Sequence, residues 1–154
     1  MTSSPTPTDA QVILQLYDLR REAELRKARE WWVQKFWPEN YQDYTQVSSA
    51  FGTPENNWLR QVMGYWEMAA SLANHGAVSS ELFLEPSFSG EMFLIFAKLK
   101  PFLGDLREKA SPSFLSNVEK LINSSEKSRK FLERTELNVA NMRKNRAAAA
   151  AKTN

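Results

Sequence analysis

The residues of this chain that could do chemistry lie close together, on a helix predicted to run over Pro54–Asn74. Arg60, Glu67 and Asn74 follow one another at intervals of seven residues, so successive members lie within about 20° of each other around a helix. This spacing predicts a polar stripe on a mostly apolar helix. Glu67 is then either a base or ligand anchor, or a structural carboxylate that caps a neighbouring helix or lies at a solvated edge.

His75, the only histidine, follows this stripe and precedes Gly76. An imidazole in that position commonly interacts with the last carbonyls of its helix, and it can titrate near neutral pH. It has no second histidine, cysteine or carboxylate at ligand spacing, so the sequence predicts no metal site. A small-molecule-binding or enzymatic domain that uses Glu67 and His75 is therefore a weaker alternative to the two binding functions described below.

Other motifs of catalysis and cofactor binding are missing from the sequence. It contains no cysteine, no phosphate-cradling glycine loop, no nucleophile elbow, no dinucleotide fingerprint and no recognisable acid pair for glycoside chemistry. We therefore expect a non-enzymatic protein with no catalytic residues and no cofactor.

The composition is that of a folded domain. The chain has 154 residues, of which 42% are hydrophobic and 25% are charged, and this is enough for one domain with a substantial core. The N-terminus lacks a signal-peptide pattern, and no apolar run approaches the roughly 20 residues of a membrane span. We expect a cytoplasmic protein with no transmembrane segment.

Helical periodicity and capping signals recur along the chain, whereas the alternation typical of strands does not. The sequence predicts an all-α fold, an irregular bundle of about six or seven helices. A disordered leader is expected over 1–8, a long charged helix over 9–37 with Thr8 as its N-cap, and a helical core over 38–123. A C-terminal helix with a basic, Ala-rich tail is expected over 124–151.

Turn and capping residues predict the boundaries inside the core. Thr53 and Pro54 suit an N-cap and a first helical position. Pro101 interrupts an apolar pattern and is expected to kink or restart a helix. Ser89 and the pair Ser111–Pro112 are predicted to start further helices.

The first helix is thin in apolar residues, so we expect it to need a packing partner along its narrow apolar stripe over 12–23. The last helix of the chain, a second subunit or another protein could provide this partner. The helix ends in three tryptophans on different faces, which either anchor a protein interface or are covered by the next helix. The interface candidates are Leu16, Leu19, Trp31, Trp32 and Trp37.

Positive charge is concentrated at the C-terminal end. Residues 127–154 carry eight Lys or Arg and two Glu, whereas residues 38–126 carry six and eleven. Such a tail can attract nucleic acid or another polyanion, or it can be a solvated helix end. We expect residues 143–154 to matter for partners and hardly for folding. The polyanion-contact candidates are Lys127, Arg129, Lys130, Arg143, Lys144, Arg146 and Lys152.

Residues 65–83 contain an aromatic pair followed by Glu, small apolar residues, a Gly turn and a capped helix with Glu-Leu-Phe. The positions concerned are Tyr65, Trp66, Glu67, Ala69, Ala70, Gly76, Ser80, Glu81, Leu82 and Phe83. In this pattern the segment resembles a bacterial family of helical proteins of unknown function, the DUF4760-like proteins. The resemblance implies a helical fold and supplies no catalytic residues. Many members carry N-terminal membrane helices, whereas this chain has a charged helix in that place.

We expect a non-enzymatic helical interaction protein that oligomerises or docks on a larger assembly, with a protein partner or self-association as its mode of binding. The alternative is a nucleic-acid or ribosome-associated protein that acts through the basic C-terminal tail.

Overall fold

The structure is a computed structural model that describes residues 4–153. That part of the chain forms nine α-helices and one short 3-10 helix, without a strand. The predicted all-α class is confirmed, although the helices are more numerous and shorter than expected. The helices are α1 (Pro7–Leu19), α2 (Ala23–Gln34), α3 (Tyr41–Ser48), α4 (Pro54–Asn74), α5 (Ser80–Phe83), α6 (Pro86–Leu99), α7 (Leu103–Lys109), α8 (Ser116–Ile122) and α9 (Glu126–Ala151), with the 3-10 helix at Lys100–Phe102.

The centre of the fold is α4, which contacts α2, α3 and α8. Its bounds agree with those predicted. The Thr53 hydroxyl accepts a hydrogen bond from the Asn56 N–H (3.2 Å), and Pro54 is the first helical residue. Its C-terminal end turns at Gly76, whose φ of +75° is easily reached only by glycine. Leu59 and Trp66 are among the α4 side chains that form the middle of the core.

The long helix predicted over 9–37 is instead two helices, α1 and α2, separated at residues 20–22. Arg20 turns into the protein and donates from Nη1 to the Phe88 carbonyl (2.8 Å). Glu22 then begins α2, because its carboxylate accepts from the Leu25 N–H (2.9 Å). Charge pairs along this segment are compatible with one continuous helix, so the break is a consequence of packing against α6.

The first helix begins earlier than predicted, and Thr6 replaces Thr8 as its N-cap. Thr6 and Asp9 form a capping box, in which the Thr6 N–H donates to the Asp9 carboxylate (2.7 Å). The described part of the predicted leader over 1–8 therefore includes the start of α1, and residues 1–3 lie outside the described residues.

Helices from both ends of the chain contribute to one core, which extends beyond the predicted range of 38–123. Leu16 from α1, Trp32 from α2 and Val139 from α9 are all buried with the side chains of α4 and α6. Burying side chains of this size contributes on the order of 2–3 kcal/mol each. The terminal helices are therefore packed across the core.

Three predicted boundaries in the second half of the chain differ from the structure or are refined by it. Pro86 is the first residue of α6, so that helix begins before the predicted cap, Ser89. Pro101 lies in the 3-10 helix that joins α6 to α7, which agrees with the predicted restart. Ser111–Pro112 begins a turn, and α8 starts only after Leu115, whose φ of +51° is left-handed.

Candidate functional site

Two side chains of the polar stripe on α4, Glu67 and Asn74, form hydrogen bonds with the start of α8. Glu67 Oε1 accepts from the Asn117 N–H and from Asn117 Nδ2, both at 2.9 Å, and Oε2 accepts from the Val118 N–H at 3.2 Å. The first N–H groups of a helix have no acceptor within the helix, and they attract negative charge. The contacts of Glu67 are those of a structural carboxylate.

Of the other polar candidates, Asn74 shares Asn117 with Glu67, whereas His75 and Arg60 lie in different surroundings. Asn74 Nδ2 donates to the Asn117 carbonyl (2.9 Å) and so adds a second connection between α4 and α8. His75 Nδ1 donates to the Ser71 carbonyl (2.8 Å) in the last turn of its own helix. Arg60 is exposed and lines a shallow cleft elsewhere on α4. The structure thus does not bring the four residues into one site.

The described part of the chain has neither a cluster of metal-binding side chains nor a helix that could span a membrane. Among residues 4–153, no three or more His, Asp or Glu side chains are grouped so that they could hold a metal ion. No helix formed by these residues combines the length and the apolar character needed to cross a bilayer.

The tryptophans predicted as interface anchors are mostly inside the protein. Trp31 stacks on Phe36 with ring centroids 4.4 Å apart, and Trp32 has no exposed surface. They are covered because α4 and α6 pack over the end of α2. Leu16 is also buried, and Tyr65 donates to its carbonyl (2.6 Å). These three candidates are not available to a partner in this structure.

Leu19, by contrast, is 53% exposed and lies beside a groove between α1 and α4. The opposite wall contains Met68, which is 46% exposed. The groove has a volume of about 410 Å³. Sequence analysis missed Met68, although its spacing of four residues from Leu72 already suggested a shared helix face. The groove is lined by Val12, Gln15, Leu16, Asp18, Leu19, Met68 and Leu72.

The candidate polyanion contacts at the start of α9 engage nearby groups of the protein. Lys127 and Lys130 form ion pairs with Glu85 (3.0 Å) and Glu126 (2.6 Å), and Arg129 donates to a backbone carbonyl (2.6 Å). The paired side chains are largely exposed, so each pair contributes little to stability.

Two further candidates, Arg143 and Arg146, turn back onto the C-terminal end of α2. Arg143 Nη2 donates to the Pro38 carbonyl (2.8 Å), and Arg146 Nη1 donates to the Gln34 carbonyl (3.1 Å). Lys144 and Lys152 remain exposed. The seven candidates therefore do not form one continuous basic surface.

Lys98 on α6 is a buried cation that sequence analysis missed. Its Nζ donates to the carbonyls of Trp32 and Phe36, the latter at 3.0 Å, and lies 3.7 Å from the centre of the Trp37 ring. Burial, and then the charges of Arg143 and Arg146, lower the pKa of Lys98 to about 7. A single lysine inside the apolar run 92–99 was the signal that could have found it.

A second buried polar network joins α2, α4 and α6. The Glu91 carboxylate pairs with Arg29 (2.8 Å) and accepts from the Trp66 indole N–H (2.9 Å). Arg20 lies 5.3 Å from the Trp66 ring, and its burial lowers the pKa of the guanidinium. Burial also raises the pKa of Tyr65 to about 12. These groups contact one another, and their arrangement is that of a structural network.

The family of the chain is shown by a match over residues 5–125 to the family model described as "Domain of unknown function (DUF4760)". The match includes the segment 65–83 and ends just before α9. No curated protein and no solved structure matches the chain. Because the match extends over most of its length, the chain belongs to the DUF4760 family of unknown function.

Proposed function

We propose that this protein is a non-enzymatic interaction module that binds a second copy of itself through the groove between α1 and α4. The observation that supports this proposal is the exposure of Leu19 and Met68 on the two walls of one groove. Apolar side chains exposed singly are common, whereas a concave apolar surface is a frequent feature of binding sites.

The shape of the groove suits a helix. Val12, Leu16 and Leu19 recur at intervals of four and three residues on α1, and Met68 and Leu72 are four residues apart on α4. Two such rows leave a channel into which the side-chain ridge of another helix can pack.

A second copy is the occupant that we favour, because α1 presents an apolar ridge beside the groove itself. In a two-fold arrangement the same surface serves both partners, so the ridge of each copy can enter the groove of the other. Asp18 is the one charged residue in the lining, and at an exposed rim its charge is screened by water. Seven residues line the groove, fewer than the roughly 20–30 that each partner contributes to a stable interface, so we expect a weak dimer.

The contacts of the polar candidates favour a non-enzymatic role. Both carboxylate oxygens of Glu67 accept hydrogen bonds from the start of α8, and His75 is bonded to its own helix. A general base needs a free acceptor within reach of substrate. The contacts of Glu67 engage both of its oxygens. His75 keeps an acceptor at Nε2, but its ring is exposed and does not share a site with Arg60 or Glu67.

The dimer is tested by sedimentation over a range of protein concentrations. We expect the wild type to shift from monomer toward dimer as concentration rises. Leu19→Glu combined with Met68→Glu should remain monomeric with an unchanged far-UV circular dichroism spectrum, because both side chains are already half exposed. Leu137→Glu is the matched control, since Leu137 is 67% exposed on α9, and it should dimerise like the wild type.

A wild type that stays monomeric at every concentration would contradict self-association. If it also bound RNA at low salt and released it steeply as salt increased, the nucleic-acid alternative would replace the proposal, because such release reflects displaced counterions.

A further inference from the structure

We propose that a cleft between the C-terminal end of α2 and α9 binds the phosphate group of a small phosphorylated molecule. The cleft has a volume of about 320 Å³. It is lined by Lys35, Trp37, Glu39, Arg143, Arg146 and Ala147. Lys98 lies behind it, on the face of Trp37.

Positive charge at this cleft exceeds the negative charge around it. Lys35, Arg143, Arg146 and Lys98 meet at the end of α2. The end of a helix supplies only about half a negative charge. Two carboxylates are close to these cations. Glu39 belongs to the cleft lining, and Asp43 is near enough to Arg143 to favour its charged form. An excess of roughly one to two positive charges remains, and an anion in the cleft would reduce it.

Backbone contacts explain part of this arrangement, since Arg146 donates to the last carbonyl of α2 and Arg143 donates to the carbonyls of Pro38, after α2, and Lys98, on α6. They do not explain Lys35, which also belongs to the cleft lining and forms no ion pair or side-chain hydrogen bond with the residues described. Arg146 donates to Gln34 through Nη1 alone. A guanidinium has five N–H donors, so Arg146 keeps donors for an anion.

The buried Trp37 indole N–H adds a further donor to the neighbourhood. It has no acceptor among the described residues, and leaving such a group unpaired is unfavourable. The surroundings of Trp37 are thus rich in donors and cations and poor in anionic acceptors.

The size of the cleft indicates the class of ligand. Pockets that bind small molecules measure about 300–1,000 Å³, so a volume near the lower end suits a molecule no larger than a nucleoside monophosphate. A nucleic-acid polymer would need a groove that continues along its backbone. The remaining tail cations are dispersed along α9, and those near its start are paired within the protein.

Titration calorimetry with inorganic phosphate and with adenosine monophosphate tests this site, with sodium chloride added to keep the ionic strength constant. We expect both probes to bind the wild type. Arg146→Gln and Lys35→Gln should each weaken binding by about tenfold, the effect of losing one charged hydrogen bond. Lys127→Gln, which also removes one charge from α9 but lies at the other end of the helix, should bind like the wild type.

Thermal unfolding without phosphate provides the folding control. Lys35→Gln should leave the midpoint nearly unchanged because its side chain is exposed, whereas Arg146→Gln also loses the hydrogen bond to the Gln34 carbonyl. The proposal is contradicted if the wild type binds neither probe, or if Lys127→Gln weakens binding as much as Arg146→Gln. The proposal would also be overturned if an RNA oligonucleotide bound while neither phosphate nor adenosine monophosphate did. None of these results depends on whether the protein dimerises.

Discussion

At the scale of single residues, Lys98 is the least expected feature, because it is a buried cation whose partners are carbonyls and an aromatic face. The carbonyl oxygens and the Trp37 ring favour its charged form. Burial and the nearby arginines favour its neutral form and lower its pKa to about 7. No carboxylate among the described residues touches it.

This lysine makes stability depend on pH. The unfolded chain releases the proton near the ordinary value of 10.5, whereas the folded chain releases it near 7. Between these values the unfolded state holds more protons, so stability increases as pH rises. The free energy of unfolding of the wild type, minus that of Lys98→Met, should therefore increase above pH 7, by up to about 1.4 kcal/mol per pH unit.

Urea unfolding at several pH values between 6 and roughly 9.5 measures this difference. Lys100→Met is the matched control, since it removes a lysine two residues away whose side chain is partly exposed and paired with Glu136 (2.7 Å). A flat difference for Lys98→Met would show that Lys98 keeps its ordinary pKa.

Sequence reasoning at this scale succeeded where a residue acts on its own helix and stopped where its partner is distant. Thr53 was recognised because capping is local. For Glu67 the sequence offered both a functional and a structural interpretation. The N–H donors on α8 that its carboxylate binds lie 50 residues later in the chain, so the sequence could not decide between the two. The burial of Trp31 and Trp32 depends on which helices cover them, and the sequence of α2 does not show which helices those are.

At the scale of helices, α9 has two parts with different contacts. Its first part packs on α6 and buries Leu132 and Val139. Its second part has no buried apolar residue, and it is attached through Arg143 and Arg146 to the end of α2. The sequence suggested that residues 143–154 matter little for folding, because they contain almost no large apolar side chain. The hydrogen bonds of the two guanidinium groups lead us to expect instead that residues 143–146 contribute to stability.

Two truncated chains test the division of α9. A chain ending at Ala148 retains both arginines, so its midpoint of urea unfolding should equal that of the full chain. A chain ending at Met142 lacks both, and we expect its free energy of unfolding to fall by about 2 kcal/mol, because the carbonyls of Gln34, Pro38 and Lys98 lose charged donors. Equal midpoints for the two truncated chains would show that the arginines do not stabilise the fold.

Helix boundaries were predictable where Pro, Gly and short polar residues mark them, as at both ends of α4. The break between α1 and α2 carried no such mark. Charge pairs at intervals of four residues favour a continuous helix there, and the chain bends because Arg20 reaches the Phe88 carbonyl on α6. Tertiary contacts of this kind override local preference.

At the scale of the whole molecule, the two ends of the chain stabilise one another. The carbonyls of Gln34 and Pro38 receive donors from Arg146 and Arg143, more than 100 residues later in the chain. Together with α6, these contacts place both terminal regions in one core. The all-α class could be predicted from periodicity, whereas this closure could not, because it depends on polar contacts between remote segments.

Such a contact closes a long loop, which is entropically unfavourable until the rest of the core has formed. We therefore expect it to form late in folding, so that Arg143→Ala raises the unfolding rate and leaves the folding rate nearly unchanged. Thr53→Ala removes a local cap on the central helix and should instead slow folding. Stopped-flow kinetics in urea measure both rates, and an equal slowing of folding in the two variants would contradict late closure.

The same contact has a consequence for biosynthesis. The end of α2 leaves the ribosome long before Arg143 is added, because 105 residues separate Pro38 from its donor. During that interval the carbonyls of Gln34 and Pro38 have water in place of the two arginines. The end of α2 thus receives these contacts from residues that are translated more than 100 residues later.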